Sequence, residues 1–251
     1  MKINKIYESI ILEAEIEACV KKFGDILFGD ELAPGKEKNT SVENNYVNYI
    51  KQFTTTDYGQ DIKPNIVKAL TTLKGCVQQY PEVLIPDKTK VYRGITIPAE
   101  YFIKNKIPIK IDAPFPYIYK ARNSIQSWSE NFDIASTFGN HEILNEVADN
   151  IDYIGIDDFS TIENQRKLLQ FVIGQDLRMA FVLEYVTNPK EFLFKTKYFN
   201  KLSAGKHEDE IIRIDNKPIK VLAKFNLHED VFLSGDGLRL IKHINHAIKN
   251  L

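Results

Sequence analysis

Val91-Tyr92-Arg93-Gly94-Ile95-Thr96-Ile97 reads as a β-strand with a charge set into it. β-Branched and aromatic residues fill the run, as a pleated, half-buried surface favours. Under the two-residue period of a strand, Val91, Arg93, Ile95 and Ile97 fall on one face. An unpaired guanidinium on an apolar face costs several kcal/mol. Arg93 therefore either sits in a structural ion pair or on a wet face, or it offers its planar donor fork to a phosphate or carboxylate. Gly94 beside it would let a ligand approach the backbone closely.

Two later stretches carry the same mixture of strand pattern and polar chemistry. In Ser127-Trp128-Ser129 the serines share one face of an extended segment and Trp128 takes the other. Ser129, with Glu130 or Asp133, reads as the cap of a helix that begins at Phe132. That leaves Ser127 without a structural reason, and no GxSxG elbow surrounds it to make it a hydrolase nucleophile. In Glu208-Asp209-Glu210 the two glutamates point the same way on a strand, whereas on a helix they would diverge by about 200°. Ile211, Ile212 and Ile214 favour the strand. The plain reading is a solvated acidic rim. The functional reading gives one carboxylate the task of stabilising a developing sugar cation and the other that of taking a proton from, or orienting, an incoming nucleophile.

Around these stretches the chain changes character near residue 88. Before it, apolar residues recur at helical spacing from Ile3 to Leu27, and Tyr46 to Phe53 and Ile62 to Val77 read as two more helices. After it the pattern is mainly β: Lys90 to Ile97, Ser124 to Glu130, Met179 to Val186, Glu191 to Lys197, Asp209 to Ile214 and Ile219 to Leu227. Helices are expected at Phe132 to Phe138 and Leu238 to Ile248, with helical hints at Ile143 to Val147 and Gln165 to Val172. The division is thus 1–88 as an N-terminal helical region and 89–251 as a core.

The bulk chemistry narrows the function classes. A net charge of -1 supplies no global basic field, so it gives a nucleic-acid partner no support. The five histidines are scattered, and neither HExxH nor a paired Cys/His set occurs, so no metal is expected. Cys19 and Cys76 lack CxxC spacing and read as reduced, buried thiols of an intracellular protein. The start of the chain has no continuous apolar core of a signal peptide, and no run approaches the ~20 residues of a membrane helix. A cytoplasmic location is expected, with no membrane association.

Taken together, the three stretches resemble the R-S-E class of ADP-ribosyltransferases. VYRGITI is similar to that family's first strand, SWSENFDIASTF (Ser127–Phe138) to its Ser-Thr-Ser strand and following helix, and KHEDEIIRI (Lys206–Ile214) to its Glu-x-Glu strand. FTTTDYG (Phe53–Gly59) faintly resembles a helix that covers NAD in two-part members. The resemblance implies an α+β fold: an ADP-ribosyltransferase core of two packed, mainly antiparallel sheets behind an N-terminal helical cap. It also implies transfer of ADP-ribose from NAD to an arginine of a target protein, with release of nicotinamide and no metal.

By position, the resemblance has Arg93 contact the NAD phosphates and the Gly94 backbone hold the nicotinamide carboxamide. Ser127 would orient the catalytic glutamate. Glu210 would bond the nicotinamide-ribose hydroxyl and favour the oxocarbenium-like state. Glu208 would engage the acceptor, a Glu at this place going with arginine. Tyr198 and Phe199 would face the target, and Tyr153 and Phe159 are alternative aromatic lids. Trp128 departs from the family's small residue, and Lys63-Pro64 from its Asn-Arg pair. The chain looks most like tailed-phage versions of the class, and Ile11-Leu12-Glu13 fits an Ile-x-Glu processing pattern of packaged phage proteins. Host transcription or translation machinery is then a candidate target, and the chain is expected to act as a monomer. The alternatives are an NAD glycohydrolase, a catalytically silent domain that binds NAD or a partner, and a structural virion protein.

Overall fold

A computed structural model describes residues 88–121, 125–151, 155–156, 158–188, 192–195, 210–214 and 217–250, together with residues 18, 72, 75, 76, 78, 85 and 86. In chain order its elements are β1 (Lys90–Pro98), α1 (Ala99–Lys104), β2 (Phe115–Tyr119), β3 (Ile125–Ser129), α2 (Phe132–Ser136), α3 (Glu142–Asp149), α4 (Ile162–Gly174), β4 (Arg178–Val186), β5 (Phe192–Lys195), β6 (Glu210–Ile214), β7 (Ile219–Phe225) and α5 (Gly235–Lys249). The chain is therefore α+β, as expected. The N-terminal helical region lies almost wholly outside the described residues; Ala18, Thr72, Gly75 and Cys76, inside the expected helices, are helical.

The chain forms two compact units. One takes Met1–Val91, Ile118–Asn131 and Val186–Ile219; the other takes Tyr92–Tyr117, Phe132–Tyr185 and Lys220–Leu251. Most of β1, β2, β4 and β7 belongs to the second unit, in the strand order β2-β7-β4-β1. β4 and β7 are antiparallel, with Phe181 opposite Phe225 and Leu183 opposite Ala223. β7 alternates strictly: Ile219, Val221, Ala223 and Phe225 are buried, and Lys220, Leu222 and Lys224 are exposed. That is the signature of a strand with one dry and one wet face. In β4 every residue from Met179 to Leu183 is buried, which matches its unbroken apolar run.

The core of this second unit is aromatic. Phe102 stacks on Phe181 at 5.6 Å, and Phe115 and Phe225 meet the Phe181 ring edge-on at 5.6 and 5.2 Å. Offset and edge-to-face rings of this kind add to what their burial contributes. α5 buries Leu240, Ile241, Ile244, Ala247 and Ile248 along one stripe, and packs on α3 and α4. Its start is set by Ser234, whose hydroxyl accepts the Gly237 N–H at 2.9 Å, with Asp236 in the first turn to complement the helix dipole. Two elements escaped the sequence reading. α1 has six residues, too few to show a helical period, and β2 carries Pro116, tolerated because β2 ends the strand order.

A buried histidine ties this unit together. His141 is fully buried and stacks on Phe225 at 4.7 Å. Its Nδ1 accepts the Ala180 N–H at 3.2 Å, so the ring proton sits on Nε2, which donates to the Asn226 carbonyl at 2.8 Å. Asn226 in turn donates to the Ser136 carbonyl at 2.7 Å. Burial lowers the His141 pKa, against a smaller opposing effect of the Asn226 hydrogen bond. Protonation would also set an Nδ1–H against the Ala180 N–H. Because the folded pKa lies below the unfolded value of about 6.5, the stability from this group is full above that value and is lost as pH falls towards the folded pKa. Urea unfolding between pH 7 and 5.5 should show this: His141→Gln is expected to flatten the pH slope by up to one proton, about 1.4 kcal/mol per pH unit. An unchanged slope would remove His141 as its source.

In the first unit, β6 lies between β3 and β5, and both pairings are antiparallel. The β5/β6 register shifts between Phe192 and Phe194, as at a β-bulge. A short knot closes the chain beside β1: Lys88 N–H donates to the Thr187 carbonyl at 3.2 Å, Thr187 N–H to the Thr89 carbonyl at 2.8 Å, and Thr89 N–H to the Thr187 hydroxyl at 3.0 Å. Cys76 is half-buried and disulfide-bonded, not the expected thiol. The chain's other cysteine, Cys19, lies outside the described residues. Spacing along the chain cannot show what a cysteine meets in space, which is why the sequence reading took Cys76 for a thiol.

Candidate active site

The site builds up from β3 and β6 of the first unit. Their register sets Gln126 opposite Arg213, Ser127 opposite Ile212, Trp128 opposite Ile211 and Ser129 opposite Glu210. Directly opposed residues of an antiparallel pair share a face, and neighbours along a strand alternate. Positions 127, 129, 210 and 212 therefore belong to one face, and positions 126, 128, 211 and 213 to the other.

The second face is dry. Trp128 is 1% exposed and Ile211 and Arg213 are fully buried. The Trp128 ring meets Tyr119 edge-on at 5.8 Å. Trp128 thus packs behind the strand, as its expected orientation required, and leaves the serines on the face that carries position 210.

Ser127 is half-buried and Ser129 is buried. The Ser129 hydroxyl accepts the Asn131 N–H at 3.0 Å. The bond differs from the expected helix cap: the amide accepted is that of Asn131, before α2 begins at Phe132, so the hydroxyl closes a turn that leads from strand into helix. With one lone pair spent on that amide, the hydroxyl retains its proton for an acceptor on the same face. Opposed residues have Cβ atoms about 4.5–5.5 Å apart, and diagonal ones about 7–8 Å. Position 210 is therefore the direct cross-strand neighbour of position 129 and the diagonal neighbour of position 127.

Arg93 and Gly94 lie on β1 in the second unit, and Arg93 is half-buried between the buried Val91 and Ile95. A Cβ on Gly94 would run into the backbone carbonyls of Ala135 and Phe138, standing 2.8 Å from the Phe138 carbonyl carbon. The end of α2 therefore presses on β1 at this point, so packing by itself requires the glycine. Phe159, one of the two candidate lids, lies against the His243 ring at 4.4 Å. Glu208, Tyr153, Tyr198 and Phe199 lie outside the described residues.

Sequence reasoning passed over Gln126 and Arg213. Both are buried, at 2% and 0% exposure. Arg213 Nη1 donates to Gln126 Oε1 at 3.2 Å, and Nη2 to the Lys217 carbonyl at 3.3 Å. The signal was available: the reasoning that singled out Arg93 on an apolar strand face applies with greater force to Arg213 among isoleucines.

Among the described residues, no group of His, Cys, Asp or Glu could hold a metal ion, and no helix is long and apolar enough to cross a membrane. Comparison with protein-family models, with curated proteins and with solved structures gave no match.

Proposed function

We propose that the chain is an NAD-dependent mono-ADP-ribosyltransferase of the R-S-E class that modifies a protein arginine. The observation that supports this reading best is the β3/β6 register, which brings positions 127, 129 and 210 to one face. Two serine positions and one glutamate position on a shared face suit a site in which a carboxylate is to be held, not merely present. The finer fold belongs to the same proposal: an ADP-ribosyltransferase core of two packed sheets behind a helical cap.

The bond from the ribose anomeric carbon to the nicotinamide nitrogen breaks, its electron pair leaves with nicotinamide, and an oxocarbenium-like sugar forms. Glu210 stabilises that charge and holds the ribose hydroxyl, while Ser127 orients Glu210. Arg93 engages the diphosphate and the Gly94 amide the carboxamide. A guanidine nitrogen of the acceptor attacks the anomeric carbon and loses its proton towards Glu208. The partner is a target protein, of which phage-host transcription or translation machinery is one class, and a monomer suffices.

Incubation with labelled NAD and a bacterial lysate, followed by mass spectrometry of labelled proteins, tests the reading. An adduct on arginine is expected. Glu208→Ala should lose at least about 90% of adduct formation yet still release nicotinamide, because it removes the acceptor's base and not the sugar-cation partner. Free ADP-ribose without any adduct would make the protein an NAD glycohydrolase. No nicotinamide release at any protein concentration would leave a silent domain.

A further inference from the structure

We infer that Arg213 is a positioning residue: with Gln126 it locks the register of β3 on β6 from the buried face, and so sets Ser127 and Ser129 against Glu210 on the other. The register claim stands on the geometry of the two strands; its consequence for catalysis rests on the ADP-ribosyltransferase reading.

β6 needs such a lock. Its sequence, EIIRI, places isoleucine at 211, 212 and 214, so both faces of the strand are apolar. Register is specified by a difference between faces, and a strand that is apolar on both specifies it weakly. A slip by one residue would move every β6 side chain to the opposite face. A slip by two would retain the faces but bring position 210 opposite a different β3 residue. Hydrophobic burial alone discriminates poorly against either.

The Arg213–Gln126 pair discriminates against both. The guanidinium is fully buried, and its hydrogen bonds run across the strand to Gln126 Oε1 and along the chain to the Lys217 carbonyl. After a one-residue slip Arg213 would leave the buried face. After a two-residue slip it would lose Gln126 as its opposite and stand against Trp128 or the position beyond Gln126. Either way the buried guanidinium would lose its cross-strand acceptor on Gln126, which costs more than any single apolar contact in the strand. A lone buried polar residue that selects one register among isoenergetic apolar ones is the best-attested use of buried polar groups. The lock lies behind the serines, so it fixes their placement without touching a ligand.

The test removes both partners together, since removing one would strand the other. The Gln126→Leu/Arg213→Met double variant is compared with the parent and with Gln126→Glu, which retains the acceptor. Cross-strand NMR contacts report the register: Trp128 with Ile211 and Ser127 with Ile212 in the parent. The parent and Gln126→Glu should show one set. The double variant should retain its circular dichroism yet show a second set, and its kcat for nicotinamide release should fall about tenfold or more with KM held within about twofold. A single parental set in the double variant overturns the proposal. If the double variant does not fold, Arg213→Lys decides by the same NMR readout, because an ammonium cannot span both acceptors: a second set supports the lock and one set sinks it. A parent that releases no nicotinamide removes the ADP-ribosyltransferase reading and leaves the register readout to decide the lock by itself.

Discussion

Glu210→Ala should lower nicotinamide release from NAD by at least about 10²-fold, roughly 3 kcal/mol of transition-state stabilisation. Arginine modification should fall with it. Under the proposed chemistry both products pass through the same sugar cation, and the carboxylate at 210 is the group set to face it. The position is not a free end: Glu210 opens β6, and its register partner is the buried Ser129. Under the proposed chemistry, removing the side chain takes away the charge that balances the sugar cation from a position fixed by the strand register. Glu210→Gln separates the two parts of the effect, since the amide still bonds a hydroxyl but carries no charge. It should stay within about tenfold of the alanine variant, because the charge and not the hydrogen bond balances the cation. Calorimetric NAD binding and circular dichroism should be close to the parent's in both. Parental turnover by Glu210→Ala would end the assignment of the carboxylate, whatever the remaining activity is due to.

Gly94→Ala should destabilise the protein by about 3 kcal/mol or more, at the upper end of what overpacking costs. The methyl group would meet the carbonyl oxygens of Ala135 and Phe138 and the carbonyl carbon of Phe138, all of them backbone. A flexible side chain could swing aside; a helix end and a strand cannot move apart without losing other contacts. Gly174→Ala is the matched control. Nothing lies within 4 Å of a Cβ there, and the residue is the last of α4. That change should be neutral or stabilise by about 0.5–1 kcal/mol through loss of backbone freedom in the unfolded chain. Urea unfolding of the three proteins compares them directly, and equal midpoints for Gly94→Ala and the parent would refute the packing contact. The result also guards the functional assignment. Loss of activity in Gly94→Ala would follow from unfolding alone, so it would say nothing about an amide that holds nicotinamide.

What could be read from the chain was local. β7 shows why: IKVLAKF alternates in sequence as it does in burial, because a strand's period is built into its backbone. The apolar run of β4 and the stripe of α5 were legible for the same reason. Ser129 was legible as a hydroxyl that bonds a nearby amide, though the amide is that of Asn131 and not one of the helix, because such a bond forms whatever the rest of the chain does. α1 and β2 were not, because six and five residues carry too little period and are held by the core around Phe102 and Phe115.

The candidate site divides along the same line. That Ser127 and Ser129 share a face, with Trp128 on the other, follows from alternation within one strand. That position 210 opposes Ser129 does not, since strand pairing joins segments far apart in the chain and its register depends on both. The burial of Arg213 against Gln126, the neutral His141 between Ala180 and Asn226, and the Cys76 disulfide are likewise decisions of the tertiary structure. Each depends on what a residue meets, and a residue's own chemistry cannot say what that will be. For VYRGITI, the sequence by itself determined a strand with a guanidinium on its apolar face. Only the tertiary structure decided that its glycine is there because a helix ends against it.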